Sequence, residues 1–144
     1  MKSLFLDDFD DATIEAVVEH ARSRPHYRIL LDVWHLGGAI ARVPEEETAY
    51  SGRDNEFLLN VDSTWEDPAD DDDRIVDWSR SVWEEMHAHS PGGLYLNFPG
   101  FGEETEELLR ATHGPETYER LVDVKTEYDP ENVFRLNQNV TPAT

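Results

Sequence analysis

Apolar residues recur at helical spacing in four stretches of the chain. In the first stretch, Ile14, Val17 and Val18 share one side of a helix that would lie on a sheet. An acidic residue before them, Asp10 or Asp11, can cap that helix. The last stretch begins at a Gly-Pro pair and ends at an Asp-Pro pair, because a residue before proline is pushed out of the helical region. The pattern predicts helices at residues 11–24, 74–89, 103–112 and 115–128.

Shorter apolar runs between these helices are typical of strands. Phe57, Leu59 and Val61 alternate with other residues and therefore share one face. The first run, 27–34, is mostly apolar, which indicates a strand covered on both faces. Strands and helices do not alternate regularly, so we expect one α+β domain, residues 1–144, with an antiparallel sheet of about four strands and helices packed on one face. The predicted strands are 27–34, 39–43, 56–65 and 94–98.

Three carboxamides stand close together near the end of the chain: Asn137, Gln138 and Asn139. Carboxamides are costly to bury unless each donor and acceptor has a partner. They form either a polar tail in water or the lining of a site for a hydrogen-bonding ligand.

The charge of the chain narrows the expected partners. It has 32 acidic and 12 basic residues, a net charge of −20, and only two of the basic residues are lysines. Such a charge repels nucleic acid and anionic membranes. Four tryptophans and the periodic segments argue against disorder. A folded protein from a halophile is the interpretation we favour, because salt screens the self-repulsion; an ordinary acidic protein is the alternative.

The sequence also bears on cysteine-dependent sites, metal sites and the location of the protein. The chain has no cysteine, which excludes disulfides, cysteine nucleophiles and thiolate metal sites within it. It has no apolar run of transmembrane length, and residues 1–7 lack the apolar region of a signal peptide, so we expect a cytoplasmic protein. His87 and His89 do not share a helix face, and the acidic run 70–73 lacks the spacing of a calcium loop, so no metal site is predicted.

Several segments together resemble one known family. Residues 114–140 contain, in order, Tyr-Glu-Arg-Leu, Val-Lys, Tyr-Asp-Pro, Asn-Val-Phe-Arg and Asn-Gln-Asn. Residues 34–53 contain Trp-His-Leu-Gly-Gly-Ala and then Thr-Ala-Tyr, and residues 95–98 read Tyr-Leu-Asn-Phe. The chain resembles the C-terminal part of berberine-bridge-enzyme-like FAD-dependent oxidoreductases, which are flavoproteins of the vanillyl-alcohol-oxidase type. Residues 114–140 look like the C-terminal segment of that family, and the rest looks like part of its substrate-binding domain.

The resemblance implies roles for individual residues. Tyr95 would be the base that takes a substrate hydroxyl proton, and Asn97 would orient the flavin or the substrate. Without the resemblance, a tyrosine in a short strand is more often a packing residue. Two further amides would contact the cofactor or the neighbouring domain, and two residues near the double glycine would approach the substrate. These are Asn137 and Gln138, and His35 and Arg42.

The resemblance also implies FAD as cofactor, held mainly by a domain that these residues do not include. Two interpretations stay open. In the first, the chain covers the flavin in an oxidase of alcohols or amines, with a separate FAD-binding subunit or domain as its partner. In the second, it is a non-catalytic interaction domain, a homodimer whose apolar, formerly flavin-facing surface is covered by self-association.

Overall fold

The fold is known from a computed structural model that describes residues 1–6, 8–67, 69, 71–100, 105–136 and 138–143. The strands are β1 (Lys2–Leu6), β2 (Leu30–His35) and β3 (Phe57–Asp62). The α-helices are α1 (Asp11–Ser23), α2 (Asp72–Met86), α3 (Glu106–His113) and α4 (Pro115–Tyr128), and short 3-10 turns occupy Glu45–Glu47 and His87–His89. Among these described helices, none has the length and hydropathy that a membrane span requires.

The strands form one antiparallel sheet in the order β1-β3-β2. Leu4 of β1 and Val33 of β2 both lie opposite Leu59 of the central strand. Side chains alternate across a strand, so these three residues share one face. That face packs on Val82 and Met86 of α2 to form the main hydrophobic core, and α1 lies beside α2 against β2. The prediction of an α+β fold with an antiparallel sheet is confirmed.

Side-chain caps explain where the helices begin. The Asp10 carboxylate accepts a hydrogen bond from the Thr13 amide at 2.8 Å, so Asp10, and not Asp11, caps α1. Asp71 and Thr105 cap α2 and α3 in the same way. α4 begins and ends where the Gly-Pro and Asp-Pro pairs predict. The sequence signals for the helix ends are therefore local and strong.

Two of the predicted strands are wrong. Residues 39–43 form turns after Gly38, whose φ of 72° lies in a region that strands do not use. Residues 94–98 also end in a turn, closed by a hydrogen bond from the Phe98 amide to the Tyr95 carbonyl. The sheet of about four strands is thus a sheet of three within the described residues.

β1 and one face of α1 also differ from the prediction. β1 was not predicted, because its apolar part is only the three residues 4–6, and periodicity does not assign so short a run to a strand. In α1, Thr13 is buried and Ala16 and Val17 pack against the core, whereas Ile14 and Val18 are exposed. The predicted apolar stripe therefore extends past the part of α1 that faces the sheet.

Candidate functional site

The face of the sheet opposite α1 and α2 carries an aromatic groove of about 290 Å³. Leu58 of β3 lies in it because its side chain points away from the core face. Trp34 of β2 lies opposite Leu58, and Leu36 follows on the same face. Two loops supply the other lining residues, which are Ile40, Tyr50, Arg53 and Tyr95.

Arg53 organises the loop between β2 and β3. Its guanidinium donates to the Ile40 carbonyl at 3.0 Å and to the Thr48 hydroxyl at 2.6 Å. The guanidinium also lies over the Tyr50 ring, 5.0 Å from the ring centre. The Glu45 carboxylate accepts the backbone amide of Arg53 at 3.3 Å. One arginine therefore fixes both Ile40 and Tyr50 at the groove.

Tyr95 lies in the middle of an aromatic cluster. Its ring meets Trp34, Tyr50 and Phe98 edge to face, with centroid distances of 6.4, 6.3 and 5.2 Å. The Asn97 side-chain amide donates a hydrogen bond to the Tyr95 phenol oxygen at 2.7 Å. The phenol oxygen therefore has a fixed hydrogen-bond donor beside it.

The C-terminal segment reaches the same turn. The Gln138 amide donates to the Leu96 carbonyl at 2.6 Å across 42 residues of sequence. This contact places one of the predicted amides at the turn that carries Tyr95 and Asn97. Its neighbour in the prediction, Asn137, lies outside the described residues.

The two phenols of the groove have different surroundings. Burial raises the pKa of Tyr50 above its ordinary value, and the nearby Tyr95 phenol raises it further. Tyr50 is therefore a neutral phenol at physiological pH and can donate a hydrogen bond. Tyr95 instead has a donor already placed on its oxygen.

The structure does not bring His35 and Arg42 into the groove. His35 lies opposite Phe57, on the core face of the sheet, and its ring is 3.5 Å from the Glu56 carboxylate. Arg42 is exposed in the turns that follow β2. The guanidinium that lines the groove belongs to Arg53, to which the sequence analysis gave no role. The sequence signal that could have indicated Arg53 is its position three residues after the Thr-Ala-Tyr motif.

The chain after α4 is tied back onto that helix. Lys125 pairs with the Asp129 carboxylate and donates to the Phe134 carbonyl at 2.6 Å. Asp129 also accepts the backbone amides of Val133 and Phe134, at 2.8 and 3.0 Å. The hydrogen bond from Lys125 holds the pKa of Asp129 below its ordinary value.

These bonds present an apolar surface to solvent. Phe134 and Leu136 are 81% and 87% exposed, and Val124 and Tyr128 of α4 are exposed beside them. We call these four residues the C-terminal patch. The described structure thus leaves four large apolar side chains exposed side by side.

The tryptophans divide between the core and the groove. Trp78 and Trp83 pack against the core, as the sequence analysis expected of most tryptophans, whereas Trp34 lines the groove. Within the described ranges, no three His, Asp or Glu side chains come together as a metal site.

A comparison with protein families matches the C-terminal part of the chain. The family model for berberine and berberine-like proteins matches residues 95–141. That range begins at Tyr95 and includes Asn97, Gln138 and the C-terminal patch. The chain is a partial berberine-bridge-enzyme-like domain.

Two FAD-linked oxidoreductases of Bacillus subtilis are similar to this berberine-bridge-enzyme-like domain. YgaK is 34% identical over 133 residues, which cover 91% of this chain and 27% of YgaK. YvdP is 34% identical over 107 residues, which cover 74% of this chain and 23% of YvdP. The chain thus spans about a quarter of the length of these relatives.

Solved structures show the same fold at lower identity. A Bermuda grass isoallergen matches with a TM-score of 0.78 and 21% identity, over 99% of this chain and 32% of its own. A chitooligosaccharide oxidase matches with a TM-score of 0.74 and 20% identity, over the same shares. The described fold of this chain is therefore similar to about one third of each of those proteins.

Proposed function

We propose that this chain is the flavin-covering, substrate-facing part of an FAD-linked oxidase that acts on alcohols or amines. The observation that carries the proposal is the groove in which the Tyr95 phenol, with the Asn97 amide on its oxygen, stands among apolar walls. A ligand there meets flat aromatic surfaces and two phenols that can exchange protons or hydrogen bonds.

The residues present fit the ring end of FAD rather than its phosphates. Trp34, Tyr50 and Tyr95 offer aromatic contact of the kind that a flavin ring or a cyclic substrate can pack against. A pyrophosphate needs convergent backbone amides, usually where a glycine-rich turn leads into a helix. The double glycines at 37–38 and 92–93 lead into further turns instead. Neither double glycine, among the described residues, is therefore placed to bind a pyrophosphate, and we propose that the separate FAD-binding domain or subunit holds it.

The chemistry proposed for the groove divides between cofactor and protein. Bound FAD would supply the acceptor for the hydride that leaves the substrate carbon. Tyr95, as phenolate, would take the proton from the substrate hydroxyl or amine, and the Asn97 amide would stabilise that phenolate beforehand. Tyr50, which keeps its proton, would donate a hydrogen bond to the substrate. The apolar walls would keep water from competing for these groups.

The C-terminal patch supports the proposal of a partner. The chain carries a net charge of −20, yet four large apolar side chains are exposed side by side in this patch, and the bonds of Lys125 and Asp129 hold Phe134 there. We propose that the polypeptide that binds FAD covers this patch, either as an upstream domain of a longer chain or as a separate subunit. The chain alone should then give no saturable quenching of flavin fluorescence.

A chimera tests the proposed function. This chain would replace the matching quarter of YgaK, the 34% identical relative. The chimera should bind FAD, and at least one member of a panel of alcohols and amines should reduce its flavin without oxygen. YgaK that lacks the segment is the control and should not be reduced. A chimera that holds FAD but that no substrate of YgaK or of the panel reduces would count against the proposal.

The charge supports a finer proposal about the setting in which the protein works. We propose that the protein works in the salt-rich cytoplasm of a halophile, because a net charge of −20 with two lysines is stabilised when salt screens its self-repulsion. The thermal midpoint should rise between about 0.1 and 2 M KCl. A midpoint that stays level or falls would oppose the salt adaptation.

A further inference from the structure

β2 has an open outer side in the described structure, where it is the last strand of the sheet. The Leu36 amide donates to the Glu56 carbonyl at 2.8 Å, so alternate residues of β2 direct their backbone groups towards β3. The residues between them, Leu31, Val33 and His35, therefore direct their N–H and C=O groups outwards. A strand added at this edge would find three residues ready to bond.

β2 lacks the features that usually protect an edge strand. Proteins prevent edge pairing with lysine, proline or a bulge, and the Leu-Leu-Asp-Val-Trp-His sequence of β2 has no lysine or proline and pairs in continuous register with β3. Its one acidic side chain, Asp32, accepts a hydrogen bond from Asn60 at 3.0 Å. Leu30 and Trp34 are 58% and 42% exposed, so the expectation that both faces of this strand are covered is wrong.

The helix layer also leaves apolar side chains exposed beside this edge. α1 contacts α2 through His20, which is 3.2 Å from Glu85, and through Ser23, which accepts a hydrogen bond from a tryptophan of α2. Ile14 and Val18 lie roughly 120–180° around the helix from those two residues. They therefore face away from α2 and, because α2 covers β1 and β3, towards the open edge of β2. Both are exposed.

The charge around β2 differs from that of the rest of the chain. Residues 20–44 contain four arginines and a single acidic residue, Asp32, although the chain has 32 acidic residues. A chain with so large a negative charge approaches a copy of itself with least repulsion where its own acids are fewest. The open edge is in that segment.

We propose that two copies of this chain join through β2 about a two-fold axis at Val33. Val33 of one copy then pairs with Val33 of the other, and Leu31 of each pairs with His35 of the other. This register forms about six backbone hydrogen bonds and doubles the antiparallel sheet. The two α1 helices meet beside each other and cover Ile14 and Val18. The proposal does not depend on the chemistry of the groove.

Light scattering during size exclusion tests the proposal on the 144-residue chain. At about 1–100 µM chain and about 2 M KCl, the measured molar mass should be about 33 kDa, twice the 16.6 kDa of one chain. Val33→Pro removes the outward N–H but none of the bonds to β3, since edge strands accept proline at such positions. The dissociation constant of the dimer should rise at least about 30-fold. Val33→Ala, which trims the same side chain but keeps the N–H, is the control and should stay dimeric.

A second pair of variants leaves the sheet untouched. Ile14→Glu with Val18→Glu should give a monomer with unchanged circular dichroism. Val124→Glu with Tyr128→Glu adds the same charges at the same spacing on α4 and should leave the dimer intact. A folded wild-type monomer at the highest concentration would overturn the proposal. So would a dimer that only the α4 pair dissociates, because that result would move the interface to the C-terminal patch.

Discussion

The side-chain amide of Asn97 donates a hydrogen bond to the phenol oxygen of Tyr95 at 2.7 Å. The two residues are two apart in one turn, which the hydrogen bond from the Phe98 amide to the Tyr95 carbonyl closes. The turn itself therefore holds donor and acceptor together. The oxygen of the proposed base is thus fixed in position by its neighbour in the turn.

Asn97→Ala should slow flavin reduction in the YgaK chimera about tenfold or more, because a hydrogen bond to a charged oxygen is lost. The FAD content should not change. Stopped-flow measurement over a range of pH would show whether the loss is largest where the base must be ionised. Asn55→Ala removes an amide that bonds a backbone carbonyl in a neighbouring loop and serves as the control. Equal rates for Asn97→Ala and Asn55→Ala would show that the amide does not assist the base.

Tyr50 should make the fold sensitive to alkali. Burial and the neighbouring Tyr95 raise the pKa of Tyr50 in the folded state, so the folded chain keeps a proton that the unfolded chain releases. The stability that this proton contributes to the fold is fully present below the pKa of an unfolded tyrosine, about 10. It is lost as the pH rises through the folded pKa of Tyr50. Between about pH 8 and 12, the thermal midpoint of Tyr50→Phe should fall less steeply than that of the wild type. Burial also raises the pKa of Tyr118, so part of the slope should remain. Identical slopes for wild type and variant would refute this assignment.

Asp129 should make the C-terminal patch sensitive to acid. The hydrogen bond from Lys125 lowers the pKa of Asp129 in the folded chain. The stability that the Asp129 carboxylate contributes is therefore present above the unfolded pKa of about 3.9 and is lost as the pH falls through the folded pKa. At neutral pH, Asp129→Asn should speed hydrogen exchange at the amides of Val133 and Phe134. Asp123→Asn, a change at an exposed position of α4, should not speed this exchange. Unchanged protection in Asp129→Asn would mean that other contacts hold the segment.

Arg53→Lys should loosen the loop that forms the groove. Lysine keeps the charge but cannot donate to the Ile40 carbonyl and the Thr48 hydroxyl with one planar fork. We expect the free energy of unfolding to fall by about 1–2 kcal/mol in a denaturant titration. Arg42→Lys, at an exposed position of the same loop, should change it by less than about 0.5 kcal/mol. If both variants change the free energy of unfolding by a similarly small amount, Arg53 does not organise the loop.

The helical layer could be predicted from local signals. Asp10 caps α1 through an amide three residues away, and the Gly-Pro and Asp-Pro pairs set both ends of α4. Such signals need nothing beyond their own neighbourhood. The order of the sheet could not be obtained in this way, because β1 meets β3 across more than fifty residues and its apolar run has no period.

The groove shows the same division between local and distant information. The motif with Tyr95 and Asn97 could be read from the sequence because both residues belong to one turn. Arg53 could not be assigned, because its position depends on the path of the whole loop after β2. His35 was expected near the substrate, but strand alternation places it on the core face, one residue away from Trp34 on the groove face.

The most direct test of the central claim is the rate of anaerobic flavin reduction in the YgaK chimera that carries Tyr95→Phe. Removal of the base should lower this rate at least about 100-fold with FAD content unchanged. Tyr27→Phe, at an exposed tyrosine outside the groove, should reduce flavin at the unaltered rate. A Tyr95→Phe chimera that is reduced within about twofold of the unaltered rate would contradict the claim that this chain supplies the base.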